Sequence, residues 1–173
     1  MKIVTYPAPV LRQNAKPLVR IDGEIRRKVE EMMELMYQAD GIGLAAPQVG
    51  WSVRLFIIDT DGNRTGEKVF INPTILETDG EQNKEEGCLS FPGILGKVIR
   101  AQRIKGQAYN LEGQKMDIEA DGLFARAWQH ELDHLNGCLF IDKMSPASRL
   151  SISHQLKELE RSYNSGNKTK LPV

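Results

Sequence analysis

Asp121-Gly122-Leu123-Phe124-Ala125-Arg126-Ala127-Trp128-Gln129-His130-Glu131-Leu132-Asp133-His134-Leu135-Asn136-Gly137 is the stretch whose reading decides the fold class. A helix is expected from about Asp121 to Asn136, with Gly137 suited to the left-handed position just past its end. On a helix, residues four apart project from one face with Cβ atoms about 5–6 Å apart. His130 and His134 can therefore reach one transition-metal ion together. Glu131 stands roughly 100° around the helix from His130. It flanks such an ion without ligating it and is placed to take a proton from water held there. The competing reading is a helix with two ordinary histidines. The chain has only three histidines, and two of them fall at this spacing.

Working outward from this helix, the middle of the chain reads as strands. Val53 to Ile58 is expected as a strand bounded by the turn-like Asp61-Gly62-Asn63. Val69-Phe70-Ile71 is a second, stopped by Asn72-Pro73, with Thr74-Ile75-Leu76 resuming it. Val98 to Tyr109 alternates loosely. With Lys115 to Glu119 and Glu112-Gly113 between them, it suggests an antiparallel hairpin. Upstream, Asp22 caps a helix from about Glu24 to Gln38, whose Ile25, Val29, Met32, Met33 and Met36 form one apolar stripe ended by Gly41. Residues 1–21, with Pro7, Pro9 and Pro17, read as an extended arm over the core. Ser145-Pro146 opens a final helix carrying Leu150, Leu156, Leu159 and Tyr163. Strands clustered centrally with helices before and after give an α+β fold: antiparallel or mixed sheets packed around the central histidine-bearing helix, flanked by an N-terminal and a C-terminal helix.

The 173 residues suit one domain spanning 1–173, with about 165–173 expected to fray. The 23 basic and 23 acidic residues balance, which gives no reason to expect nucleic acid or an anionic membrane as partner. No apolar run approaches the ~20 residues of a membrane span, and Met1 to Pro7 lacks the features of a signal peptide. The cytoplasm or an equivalent reducing space is expected, where the two cysteines are not expected to form a structural disulfide and one with clustered histidines elsewhere is better read as metal ligand or nucleophile.

A catalytic metal needs a third protein ligand and an open position. Cys88, in Glu86-Gly87-Cys88-Leu89-Ser90, is the candidate, in a segment that reads as an irregular strand beside the metal; a thiolate suits iron(II) or zinc. Cys138 follows the helix, but Gly137 turns the chain away, so it reads as a packed thiol. His154 reads as solvated or capping. In Gly41-Ile42-Gly43-Leu44-Ala45-Ala46-Pro47-Gln48 the small residues permit close approach of a backbone or ligand. A tight helix-to-strand connection would look the same.

Taken together, Gly41 to Gln48, Glu86 to Ser90 and His130 to His134 closely resemble the three motifs of peptide deformylases. Those read Gly-x-Gly-Leu-Ala-Ala-x-Gln, Glu-Gly-Cys-Leu-Ser and His-Glu-x-x-His in the same order, and no fixed position departs. The similarity extends over nearly the whole chain. The resemblance implies metal ligation by Cys88, His130 and His134, with Fe2+ as the native ion and Zn2+, Ni2+ or Co2+ as substitutes. It implies Glu131 as general base and then acid, and oxyanion donors at the Gln48 side chain and the Leu89 backbone N–H. Ile42 and Gly43 would pair with the substrate peptide like an added strand. Leu123, Ala127 and Ile42 would line a methionine pocket, with Glu86 beside them and Arg100 as its salt-bridge partner. The substrate would be the N-formylmethionine end of new polypeptides, released as formate plus amine. The setting would be bacterial cytoplasm or an organelle, with transient ribosome association and no membrane or nucleic-acid site. Ile94 to Lys97 departs from the aromatic or basic residues expected after the second motif. A zinc peptidase would instead draw its third ligand from downstream of His134, where Asp142, His154, Glu158 and Glu160 stand at unconvincing spacings. A structural zinc site would need four ligands.

Overall fold

In the computed structural model, which describes residues 1–62 and 68–168, a buried strand explains the layering. Strand β1 (Gly43–Ala45) is followed by β2 (Leu55–Ile58), whose four residues are all buried. Alternation sends Leu55 and Ile57 to one face and Phe56 and Ile58 to the other. The first pair packs with Val29, Met32 and Met36 of helix α1 (Gly23–Gln38). The second pair packs with Ala125, Trp128, Leu132 and Leu135 of helix α2 (Gly122–Leu135). Two helices therefore sandwich this part of the sheet. The Trp128 indole meets the Phe56 ring edge-on, with centroids 5.3 Å apart, which locks α2 against β2.

The remaining strands are β3 (Lys68–Asp79), β4 (Gln82–Cys88), β5 (Phe91–Arg100), β6 (Arg103–Tyr109) and β7 (Lys115–Asp121). They form an antiparallel five-stranded sheet in the order β1-β2-β3-β6-β7 and a separate β4–β5 hairpin. The expected α+β class and the β6–β7 hairpin are present. Behind the β4–β5 hairpin, Phe91, Ile94 and Val98 pack on Leu11 of the arm and on Phe140 and Ile141. The C-terminal helices α3 (Pro146–Ser151) and α4 (Ser153–Lys168) complete this cluster through Ile152 and Leu156.

Several local boundaries differ from the sequence reading for identifiable reasons. Asn72 and Pro73 do not stop β3. Asn72 takes φ 51° at a register shift between Ile71 and Thr74, and its side chain bonds both the N–H and the C=O of Leu18 at 2.8 Å. The bulge thus ties the arm to the sheet. Val98 to Arg100 belong to β5, because the chain leaves the hairpin at Ala101, where Gln129 bonds both backbone groups at 3.0 Å. Helix α1 ends one residue before its C-cap Ala39, and Asp40, at φ 52°, takes the left-handed position just before Gly41, the residue expected to end the helix. The final helix is broken at Ile152, and Leu150 is 73% exposed. Helix α4 runs through Ser165 to Lys168; the rest of the expected tail, and Asn63 of the expected turn, lie outside the described residues. Among the described residues, no helix is long and apolar enough to cross a membrane.

Candidate metal centre

Helix α2 is fixed just past its histidine-bearing turn. Gly137 follows it at φ 66°, and a Cβ there would lie 2.7 Å from the Arg12 carbonyl oxygen, so only glycine lets the arm cross. The helix presents His130 and His134 with ring centroids 5.0 Å apart. The hairpin brings Cys88 to them from the end of β4, with Sγ 3.3 Å from His134 Nε2. Ligand atoms of Cys88, His130 and His134 lie within 4.8 Å of one another. The three predicted ligands are therefore gathered in one place, from two elements.

A divalent ion fits this donor set on the evidence of the side chains themselves. His130 Nδ1 faces Glu86 Oε2 at 2.9 Å, which leaves Nε2 for the centre. His134 is 1% exposed, and its Nδ1 has no hydrogen-bond partner among the described residues. Three ligands facing an open cleft is the arrangement of a catalytic ion, since a structural zinc closes its fourth position with protein. Among the described residues, no group of three or more potential ligands includes a side chain downstream of His134; His154 is exposed and paired with Glu158 at 3.7 Å. Cys138 is partly buried, and burial pushes its thiol pKa up, consistent with a packed thiol.

A cleft of about 570 Å³ opens over the centre. Ile42, Gly43, Gln48, Glu86, Cys88, Leu89, Leu123, Ala127, His130 and Glu131 all line it; His134 reaches the group through Cys88. The Gly41-Ile42-Gly43 segment is small for steric reasons. A Cβ on Gly41 would lie 2.7 Å from Leu89 Cδ1, and one on Gly43 would lie 2.4 Å from Glu131 Oε1. The Gln48 amide is oriented by its own loop: Oε1 accepts from Ala45 N–H at 2.7 Å. This turns Nε2 toward Cys88 Sγ at 3.4 Å and Ser90 Oγ at 3.3 Å. Leu89 follows Cys88 in the turn between β4 and β5. In the Ile94–Lys97 segment, Ile94 is buried in the core, whereas Leu95 is 57% exposed on the cleft wall.

Burial dominates the electrostatics. It pushes the Glu131 carboxyl up to about 7. It also disfavours charge on His134, whose pKa falls well below the ordinary value, as suits a neutral ligand. Glu86 behaves oppositely: burial alone would raise it, but hydrogen bonds from His130 and Arg100 outweigh that and hold it ionised. Arg100 grips Glu86 through Nε at 2.8 Å and Nη2 at 3.0 Å and reaches Asp133 of α2 with Nη1. The expected Glu86–Arg100 pair is present, buried beneath the cleft. Sequence reasoning missed Arg126, which is 4% exposed and donates to Glu86 Oε1 at 2.5 Å. The available signal was a cation four residues before His130 on the helix face that holds the ligand.

Comparison with known proteins agrees with this geometry. The polypeptide deformylase family model matches residues 1–150. Peptide deformylases of Chromobacterium violaceum and Thermotoga maritima are 45% and 47% identical over 161 residues, covering 93% and 92% of this chain and 96% of each relative. The solved peptide deformylase of Plasmodium falciparum superposes with TM-score 0.92 at 40% identity, covering 95% of this chain and 98% of that one. An inhibitor-bound Arabidopsis thaliana enzyme gives TM-score 0.92 at 42% identity, covering 99% and 96%. On sequence, fold and the convergence of its three motifs, the chain belongs to the polypeptide deformylase family of enzymes.

Proposed function

We propose that this chain, acting as one catalytic domain, hydrolyses the N-formyl group from the formylmethionine terminus of newly made polypeptides, releasing formate. The observation that carries the reading is the gathering of Cys88, His130 and His134 within 4.8 Å beside buried Glu131, on the floor of an apolar-walled cleft. Cys88, His130 and His134 would hold one divalent ion. Ferrous iron is the proposed resident, on the resemblance and the soft thiolate, with zinc, nickel or cobalt as replacements. Such an ion, when bound, polarises a carbonyl oxygen and makes water acidic enough to be a nucleophile near neutral pH.

The chain's own residues do the rest. Glu131 takes the proton of the attacking water as its oxygen bonds to the formyl carbon, then delivers it to the departing amine nitrogen as the C–N bond breaks. Gln48 Nε2, pre-aimed by the Ala45 bond, and the Leu89 backbone N–H donate to the oxygen that becomes negative in between. Among the described residues the outer edge of β1 has no sheet partner, so the substrate backbone adds there as a strand beside Ile42 and Gly43. Leu123, Ala127 and Ile42 offer apolar surface to the methionine side chain. The setting would be a compartment where translation starts with formylmethionine, bacterial cytoplasm or organelle, with transient ribosome contact.

The test is formate release from a formyl-Met peptide by anaerobically iron-loaded protein, beside Cys88→Ser. Wild type should release formate and the variant should lose both iron and activity. No formate from stoichiometrically loaded wild type would refute the reading.

A further inference from the structure

We propose that Arg126 is a positioning residue that locks the cysteine-bearing β4–β5 hairpin onto the histidine-bearing helix α2, holding the two halves of the metal centre in register. The inference rests on the metal-centre reading above and adds a residue to it. The backbones of α2 and of the hairpin hardly approach each other; α2 lies against β1, β2, β6 and β7 instead. Yet Cys88 comes from the hairpin while His130 and His134 come from α2. Their separation is therefore set by the long side chains that bridge the gap.

Arg126 makes more of these bridges than any other α2 residue described. Its Nη1 donates to Glu86 Oε1 at 2.5 Å and to the Val98 carbonyl at 3.1 Å. Its Nη2 donates to the Gln82 carbonyl at 2.8 Å. One guanidinium thus holds both strands of the hairpin. Arg126 and His130 are four residues apart on one helix face, and both reach the same carboxylate, Arg126 at Oε1 and His130 Nδ1 at Oε2. Two attachments on successive turns fix the rotation of α2 about its axis, and with it the directions of His130 and His134. Arg100 secures the opposite side, running from β5 to Glu86 and to Asp133 on α2. A planar fork is required at Arg126, because an ammonium cannot reach three acceptors spread over two strands.

The experiment follows transfer of zinc from the fully loaded protein to a chromogenic chelator, for wild type, Arg126→Met, Arg126→Lys and the control Arg26→Met. Arg26 of α1 bonds Glu112 and the Leu111 carbonyl, with no partner on α2 or the hairpin among the described residues. Both Arg126 variants should release zinc about 10- to 100-fold faster than wild type, the range for loss of a residue that orients a ligand. Lys should be the slower of the two, and the control should match wild type even with a lowered Tm. On loaded protein, kcat should fall more than KM rises. Where Arg126→Met fails to fold, Arg126→Lys decides. Release at the wild-type rate from folded Arg126 variants would overturn the positioning role and leave the metal centre standing. Wild type that holds no zinc would remove the metal centre itself, and this inference with it.

Discussion

Gly43→Ala places one methyl group in the narrowest part of the cleft. The new Cβ would lie 2.4 Å from Glu131 Oε1 and 3.0 Å from Glu131 Cδ, about 1 Å inside ordinary contact with the oxygen. Strand β1 cannot retreat easily, since Gly43 pairs with Ile58 and the Ile42 carbonyl accepts from Asp59 N–H at 2.9 Å. The carboxylate is the freer partner: its Oε2 has no hydrogen-bond partner among the described residues. Glu131 should therefore move by about 1 Å, and a misplacement of that size costs about 10²-fold in rate. That corresponds to about 2.7 kcal/mol of barrier. The assay is steady-state formate release from a formyl-Met peptide, with metal content and Tm measured on the same samples. The expected result is kcat down about 100-fold, metal still bound, and a destabilisation at the low end of the about 1–3 kcal/mol of overpacking. Gly23→Ala, where an added Cβ meets nothing within 4 Å, should leave kcat unchanged. A metal-loaded Gly43→Ala enzyme with kcat within threefold of wild type would refute the steric reasoning.

Two further outcomes follow from the same structure. Asp142 accepts from Leu139 N–H at 2.9 Å and pairs with Arg12, and this pairing outweighs burial and lowers its pKa. Its stabilisation is therefore present above the unfolded carboxylate pKa of about 4 and lost as pH falls through the folded value. Asp142→Ala should lower Tm by about 2–4 °C at pH 7, with the gap from wild type closing below about pH 4 in thermal melts. With a ferrous ion beside the Cys88 thiolate, the loaded enzyme should lose activity in air and be protected by reductant. Equal half-lives with and without oxygen would count against ferrous iron as the resident.

The legible parts of this fold are those where local chemistry and tertiary role coincide. Asp22 caps α1 by accepting from the N–H groups of Glu24 and Ile25, as its position before an apolar stripe implies. Gly137 ends the influence of α2, and His130 and His134 share a face because they are four residues apart. The β4–β5 hairpin was read only in part. Gln82 to Glu86 is a polar, charged run whose inward residues are Gln82 and Glu86, so no apolar alternation marks it as a strand. Arg100 similarly hides the end of β5, being a buried cation whose partners come from β4 and α2. Arg126 carries only a weak signal, its place four residues before His130, because a single arginine on a helix is usually solvated. Its burial depends on Glu86, 40 residues away in sequence. The need for a third ligand points to Cys88, and the motif resemblance implies the same set. Spacing could join His130 to His134, but only the folded chain brings Cys88 to them.

The most direct test of the account concerns Glu131, which faces the cleft without belonging to the ligand group. Glu131→Gln keeps the shape of the side chain and removes its capacity to accept and return a proton. The measurement is kcat for formate release per bound metal ion, wild type beside the variant. The account predicts metal retained at wild-type stoichiometry and kcat reduced by about 10²–10⁴-fold, the usual worth of a positioned acid–base group. A metal-loaded Glu131→Gln protein that releases formate at the wild-type rate would contradict it.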